Sequence, residues 1–233
     1  MTIEDFKKAV KGLGIEINND ILEKLNVYYE FLNEYNSHTN LTAITEKEDV
    51  YLKHFYDSLT ATKVHYFSND KVIDIGSGAG FPGIVLKIFF PNIDLTVLDS
   101  NNKKTTFLKE LCQKLNINVN VINERAEDFA KKEFGKYDIV ISRAVAYMDI
   151  IISLSMPFVK KDGSIILMKG DIKDENKILI KHQKDLNIKS YRIESFYLAN
   201  GVNLRSLVVI KKDKESKKIL TYAQILKQNE RWK

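Results

Sequence analysis

Residues 72 to 83, VIDIGSGAGFPG, constrain the fold more than any other stretch of this chain. Val72, Ile73 and Ile75 form an apolar, β-branched run of the kind that fills a parallel sheet, and it leads directly into Gly76, Gly78 and Gly80. Glycine at those positions frees the backbone to turn and removes side chains that would hold a ligand away from the main chain. Pro82 follows where a first helical turn accepts it. A strand, a glycine turn and a helix in that order cradle a nucleotide-like ligand at the edge of an α/β sheet.

Two ligand classes use such a turn, and register separates them. In the dinucleotide fingerprint a third glycine stands five positions after the first, which from Gly76 falls on Phe81. The segment GAGFPG, residues 78 to 83, satisfies the pattern but begins too far beyond Ile75 to close the strand tightly. Asp74 before the first glycine, with G-x-G-x-G spacing, instead resembles the S-adenosylmethionine loop of the α/β methyltransferases. A second strand, 93 to 98, ends at Asp99, about 20 residues beyond the loop, where a carboxylate can accept hydrogen bonds from both ribose hydroxyls. The alternative is an Asp that only caps the helix beginning near Ser100 and Asn101.

Helical spacing covers the first third of the chain. Helices are expected over 2 to 12 (Thr2 with Asp5), 20 to 36, and 46 to 64, the last opened by a Thr45–Glu48 capping box. Strands follow at 71–75, 93–98, 118–123, 137–142 and 163–168, alternating with helices and so pairing in parallel through right-handed crossovers. Segments 187–198 and 204–212 are separated only by the turn-like ANGVN and must pair antiparallel. The expected fold is α/β and Rossmann-like, that of an S-adenosylmethionine-dependent methyltransferase. It has a mostly parallel seven-stranded sheet with a terminal antiparallel hairpin, preceded by N-terminal helices. One domain of 233 residues is expected, with a helical part at 1–66, a core at 67–210 and a basic tail at 211–233.

A dinucleotide-dependent oxidoreductase would continue into a substrate domain, and none follows the hairpin. The single cysteine, Cys112, cannot form an internal disulfide and lacks partners for a metal site, which fits a reducing cytoplasm and no metal. The opening residues read as a capped helix, not a signal peptide, and the most apolar run, DIIISLSMPFV at 149–159, is too short to cross a membrane. Residues 211 to 233 account for the whole formal net charge of +5. Such a tail is solvated surface or a sequence-independent grip on nucleic-acid phosphates, unless its amphipathic stretch around Ile219 to Leu226 packs on the domain instead. In each case it is expected to lie apart from the cofactor loop, so that its deletion leaves cofactor affinity nearly unchanged.

Ligands in open α/β sheets lie beyond the carboxyl ends of the strands. After strand three comes RAEDF, 125 to 129, where Ala126 and Glu127 can hydrogen-bond an adenine edge or simply begin a helix with acidic residues. Strand four ends in ISRAVA, 141 to 146, with Ser142 and Arg143 in place of the Asn or Asp, prolines and aromatic of an amine methyltransferase. Cys112 is on the wrong segment for attack at a pyrimidine carbon. A nucleophile that needs no deprotonation remains. Guanine nitrogen 7 carries its lone pair in the ring plane, so positioning can supply most of the catalysis, with Arg143 and Lys169 as positioning groups on the cofactor carboxylate or on RNA.

The segments NLTAI (40–44), HFYDSL (54–59), DIGSGAGFPG (74–83), LDSNNKKTTFL (98–108), RAEDF (125–129), ISRA (141–144) and LMKG (167–170) resemble, in order, the motifs of the RsmG family, also called GidB. The resemblance implies a bacterial enzyme that methylates ring nitrogen 7 of a guanine in small-subunit ribosomal RNA, using S-adenosylmethionine. Its partner is that RNA or the ribosomal particle, and a monomer is expected. The implied cofactor contacts fall on Gly76, Phe81, Ala126, Glu127 and Arg143, beside Asp74, Gly78 and Asp99 from the loop reading. His54 and Asp57 belong to a family motif, and a helix packed on the sheet explains them equally well, so no chemistry is assigned to them. The family's Pro-Arg-Lys-x-Gly ending is absent from KESKKILTYAQILKQNERWK. The remaining readings are a methyltransferase acting on another RNA, a protein or a small molecule, and a non-catalytic RNA-binding module.

Overall fold

The computed structural model describes residues 1–143, 146–214 and 219–230. Ala144 and Val145 of the ISRAVA segment, and Glu215, Lys217, Lys218, Arg231 and Lys233 of the basic tail, lie outside the described residues. Helix α1 (Ile3–Gly12) is capped by Thr2, whose hydroxyl accepts from the Asp5 amide. Helix α2 (Asn19–Thr39) begins at Asn18, whose side chain accepts from the Ile21 amide, and ends at Asn40 in the left-handed region. The third helical segment is not one regular helix. It runs through α3 (Lys47–Val50), a π turn over Tyr51–Tyr56, α4 (Asp57–Leu59) and a 3-10 turn over Thr60–Lys63. The Thr45–Glu48 box does not form: Glu46 is the N-cap, without a side-chain bond, and the Thr45 carbonyl accepts from Asn33.

Among the described residues seven strands form one sheet: β1 (Lys71–Ile75), β2 (Asp94–Leu98), β3 (Asn120–Ile122), β4 (Tyr137–Arg143), β5 (Val159–Lys169), β6 (Ile188–Tyr197) and β7 (Leu204–Lys212). Their order is β3-β2-β1-β4-β5-β7-β6. The first five are parallel neighbours, and β7 inserts antiparallel between β5 and β6. Strand β5 starts four residues before its expected position, and Gly163 within it is obligatory, because a Cβ there would lie 2.6 Å from the Asp138 carbonyl. The helices between strands are α5 (Gly83–Phe89), α6 (Asn102–Lys114), α7 (Ala126–Glu133), α8 (Met148–Ser155) and α9 (Lys173–His182). A last helix, α10 (Tyr222–Glu230), follows the sheet.

Side chains alternate across each strand, so the sheet divides the core in two. Val72, Val97, Ile141 and Ile166 pack with α1, α2, α5 and α6 on one face, while Ile73, Ile75, Val140 and Ile165 pack with α8 and α9 on the other. By the same alternation Asp74 shares the face of Val72, and its register neighbours on either side are Val97 and Ile141. Connections from β1 and from β4 depart toward opposite faces, which leaves a crevice between these adjacent strands at their carboxyl ends. The basic tail is not a separate appendage: Lys211 and Lys212 belong to β7, and the Lys212 amine donates to the Val159 carbonyl.

Candidate active site

Beyond the ends of β1, β2 and β3 lies a cavity of about 410 Å³ whose lining includes Ile75, Gly76, Leu98, Asp99, Ala126, Glu127, Leu154 and Tyr222. The loop over β1 is fastened to the end of β2: the Gly76 and Ser77 amides both donate to the Leu98 carbonyl, at 2.7 and 3.2 Å. Asp99 completes the join, accepting from the Gly78 amide at 3.0 Å and from the Asn101 amide at 2.8 Å. The cap of α6 is therefore Asn101, which accepts from Lys103 and Lys104, and Asp99 faces the cavity. Two glycines serve different needs. Gly78 has φ +58°, and a Cβ there would meet only the Gly76 carbonyl, at an ordinary 3.9 Å, so its demand is conformational, whereas a Cβ on Gly80 would come within 2.6 Å of the Tyr28 hydroxyl.

Asp74 does not reach this cavity. It is wholly buried beneath α5, where one carboxylate oxygen accepts from the Gly83 amide at 2.8 Å and the other has no partner among the described residues. Burial raises its pKa to about 7, against the lowering effects of the Gly83 bond and of Arg143. Its visible work is to hold the glycine loop against α5. The Phe81 ring lies outside the cavity lining as well: it stacks on Tyr28 at 5.2 Å and on His54 at 4.3 Å.

Arg143 leaves the end of β4 toward a second, adjoining cleft of about 330 Å³, lined by Lys53, His54, Asp57, Met168, Lys169 and Arg205 among others. Its guanidinium packs over Phe81, donates to the Lys53 carbonyl at 2.8 Å and to Asp57 at 3.2 Å, and lies 2.9 Å from His54 Nδ1. A guanidinium only donates, so Nδ1 must present its lone pair and the proton sits on Nε2, which donates to Thr42 Oγ1 at 2.9 Å. The 3.2 Å approach of Nδ1 to the Lys53 carbonyl is then a meeting of two acceptors around one guanidinium, not a bond. Burial, helped by Arg143, lowers the His54 pKa to about 3, so the ring is neutral and its lone pair is taken.

Asp57 also accepts from Arg205 Nε at 2.9 Å, so one buried carboxylate joins two arginines from β4 and β7. Lys169 at the end of β5 is not a solvent-facing lysine: it donates to Glu175 at 2.8 Å and to the Ala146 carbonyl at 2.5 Å. Glu175 accepts from the Met148 amide too, tying the start of α8 to this cleft. The sequence expectation thus divides between neighbouring sites. Gly76, Asp99, Ala126 and Glu127 meet at the first cavity, with Gly78 bonded to Asp99, while Arg143 and Lys169 meet at the second. Asp57, Arg205, Glu175 and Tyr222 are additions, and a His and an Asp within an apolar helical segment were the one signal available, since buried polar groups require partners. Cys112 is buried in α6 and its thiol is pushed up to about 12, which leaves it unreactive.

A family model described as rRNA small subunit methyltransferase G matches residues 21–208. This chain belongs to that family. A relative from Mesoplasma florum, named ribosomal RNA small subunit methyltransferase G, is 51% identical over 76% of this chain and 74% of its own length. A relative of the same name from Mycoplasma capricolum is 47% identical over 91% of this chain and 93% of its own. Among solved structures, a SAM-dependent methyltransferase from Aquifex aeolicus superposes with a TM-score of 0.53 at 12% identity, over 71% of this chain and 93% of that one. That likeness bears on the fold alone, which is the methyltransferase sheet. Among the described residues no helix is long and apolar enough to cross a membrane, and no group of three or more His, Cys, Asp or Glu is placed to hold a metal.

Proposed function

We propose that this member of the methyltransferase G family transfers a methyl group from S-adenosylmethionine to ring nitrogen 7 of a guanine in small-subunit (16S) ribosomal RNA, acting in the cytoplasm and as a monomer. The observation that carries the reading is the pairing of sites across the β1–β4 crevice, a glycine-loop cavity with an acid at its rim beside a cleft holding Arg143, Lys169 and Arg205. The cavity residues fit the cofactor. Each Asp99 oxygen already holds one backbone N–H, which fixes the carboxylate and leaves a lone pair on each for a ribose hydroxyl. Ile75, Leu98, Ala126 and Leu154 offer apolar wall to a flat base, and Ala126 and Glu127 present backbone groups to its edge.

When bound, S-adenosylmethionine supplies an electrophilic methyl on a sulfonium sulfur. Guanine nitrogen 7 is unprotonated at neutral pH, so the chain needs to orient it, not deprotonate it. The committed lone pair of His54 accords with that. Arg143 and Lys169 are the positioning residues, set at the ends of β4 and β5 where RNA phosphate or base edges would approach.

Asp99→Ala is expected to weaken S-adenosylhomocysteine binding by about 1.5 to 3 kcal/mol, roughly ten- to 150-fold in Kd, by calorimetry. Tighter binding of NAD than of S-adenosylhomocysteine would overturn the assignment. Radiolabelled methyl should enter small-subunit RNA and not a perfect duplex, because guanine nitrogen 7 faces the deep, narrow groove of A-form RNA. In single turnover the rate should stay nearly flat across mild pH while Arg143→Ala and Lys169→Ala lower it. A steep pH dependence abolished by either substitution would assign that residue proton transfer instead.

A further inference from the structure

We propose that α10 is part of the cofactor site and that its first residue, Tyr222, covers the nucleoside end of the bound cofactor. The inference rests on the reading that the glycine-loop cavity holds S-adenosylmethionine, and it replaces the expectation that the basic tail lies apart from that loop. Tyr222 is half-buried and lines the same cavity as Asp99, Ala126 and Glu127. Its amide makes a long hydrogen bond of 3.4 Å to Glu127 Oε1, and its ring lies 5.5 Å from the Arg125 guanidinium carbon. These contacts fix the ring beside the two residues assigned to the base edge.

The helix is anchored by apolar packing beside the cavity. Ile225, only 1% exposed, packs on Ile150 and Leu154 of α8, with Leu220 and Ala146 against the same cluster. Leu154 is shared, contributing to that cluster and to the cavity lining. An aromatic ring held at the rim of a cavity with one apolar wall offers a flat base a stacking surface that the sheet ends lack. Because the docked helix supplies part of the wall, helix docking and cofactor binding must favour one another, in equal measure from either side.

Calorimetric titration of the full-length chain with S-adenosylhomocysteine tests this. Tyr222→Ala is expected to bind about tenfold more weakly and Tyr222→Phe within about twofold of wild type, since the ring and not the hydroxyl is at work. Ile225→Ala, which does not touch the cavity, should weaken binding too, by releasing the helix. In the unsubstituted chain S-adenosylhomocysteine should slow tryptic cleavage after the exposed Lys227, with half-maximal protection at its Kd. An unchanged Kd in Tyr222→Ala, or cleavage at Lys227 indifferent to the ligand, overturns the proposal. If wild type binds and Asp99→Ala binds at least tenfold more weakly, either of those results removes the role of α10 and leaves the cavity assignment standing. Failure of wild type to bind removes both.

Discussion

Asp57→Ala is expected to cost about 3 to 5 kcal/mol of stability, more than any other single change at the site, because it removes the buried carboxylate that two arginines share. The Asp57 side chain is 4% exposed, and among the described residues it is the only carboxylate ion-paired with Arg143 or Arg205. Arg143 is itself nearly enclosed: burial lowers its pKa and Asp57 is the leading opposing influence. Without that partner its hydrogen-bond acceptors among the described residues are the Lys53 carbonyl and the His54 lone pair. For a chain of this length the loss corresponds to a fall in Tm of roughly 10 °C. Asp57→Asn, which keeps an acceptor for one arginine, should fall between the variant and wild type. A thermal melt of Asp57→Ala within about 2 °C of wild type would show that the arginines find water or other partners without strain.

What could be read from the sequence, and what could not, follows from how local each requirement is. The glycine loop, Asp99 and the strand order are dictated within short windows, by backbone turns that need glycine and by apolar runs at strand spacing. Ala126 and Glu127 follow once the strand ends are placed. The cluster around Asp57 has no such local signature: Arg143 and Arg205 stand 86 and 148 residues away, and only the finished sheet brings β4 and β7 to the helical segment. The pitch of that segment was equally illegible, since its change from α through π to 3-10 answers to packing and not to propensity. In the tail, charge dominated the reading. The apolar spacing of Ile219, Tyr222 and Ile225 was the weaker signal, and it is the one the structure obeys.

Asp74→Asn is expected to change how stability depends on pH, with little change in fold. The unfolded carboxyl titrates near the ordinary 3.8, and burial pushes the folded one up to about 7. Between those values the folded chain holds a proton that the unfolded chain has released, so stability falls as pH rises through the window. A displacement of that size corresponds to about 4 kcal/mol at most, present below the lower value and lost above the upper one. The cause is positional. Alternation along β1 aims Asp74 at the apolar face between Val97 and Ile141, where one oxygen is held by Gly83 and the other by nothing among the described residues. Asparagine keeps the acceptor for Gly83 and carries no charge at any pH. Its denaturation midpoints from pH 4 to 8 should therefore lack the downward slope of wild type and exceed wild type at the alkaline end. Parallel profiles for the two chains would mean that water or Arg143 already compensates the ionised carboxylate, and that the loop is held equally well in either protonation state.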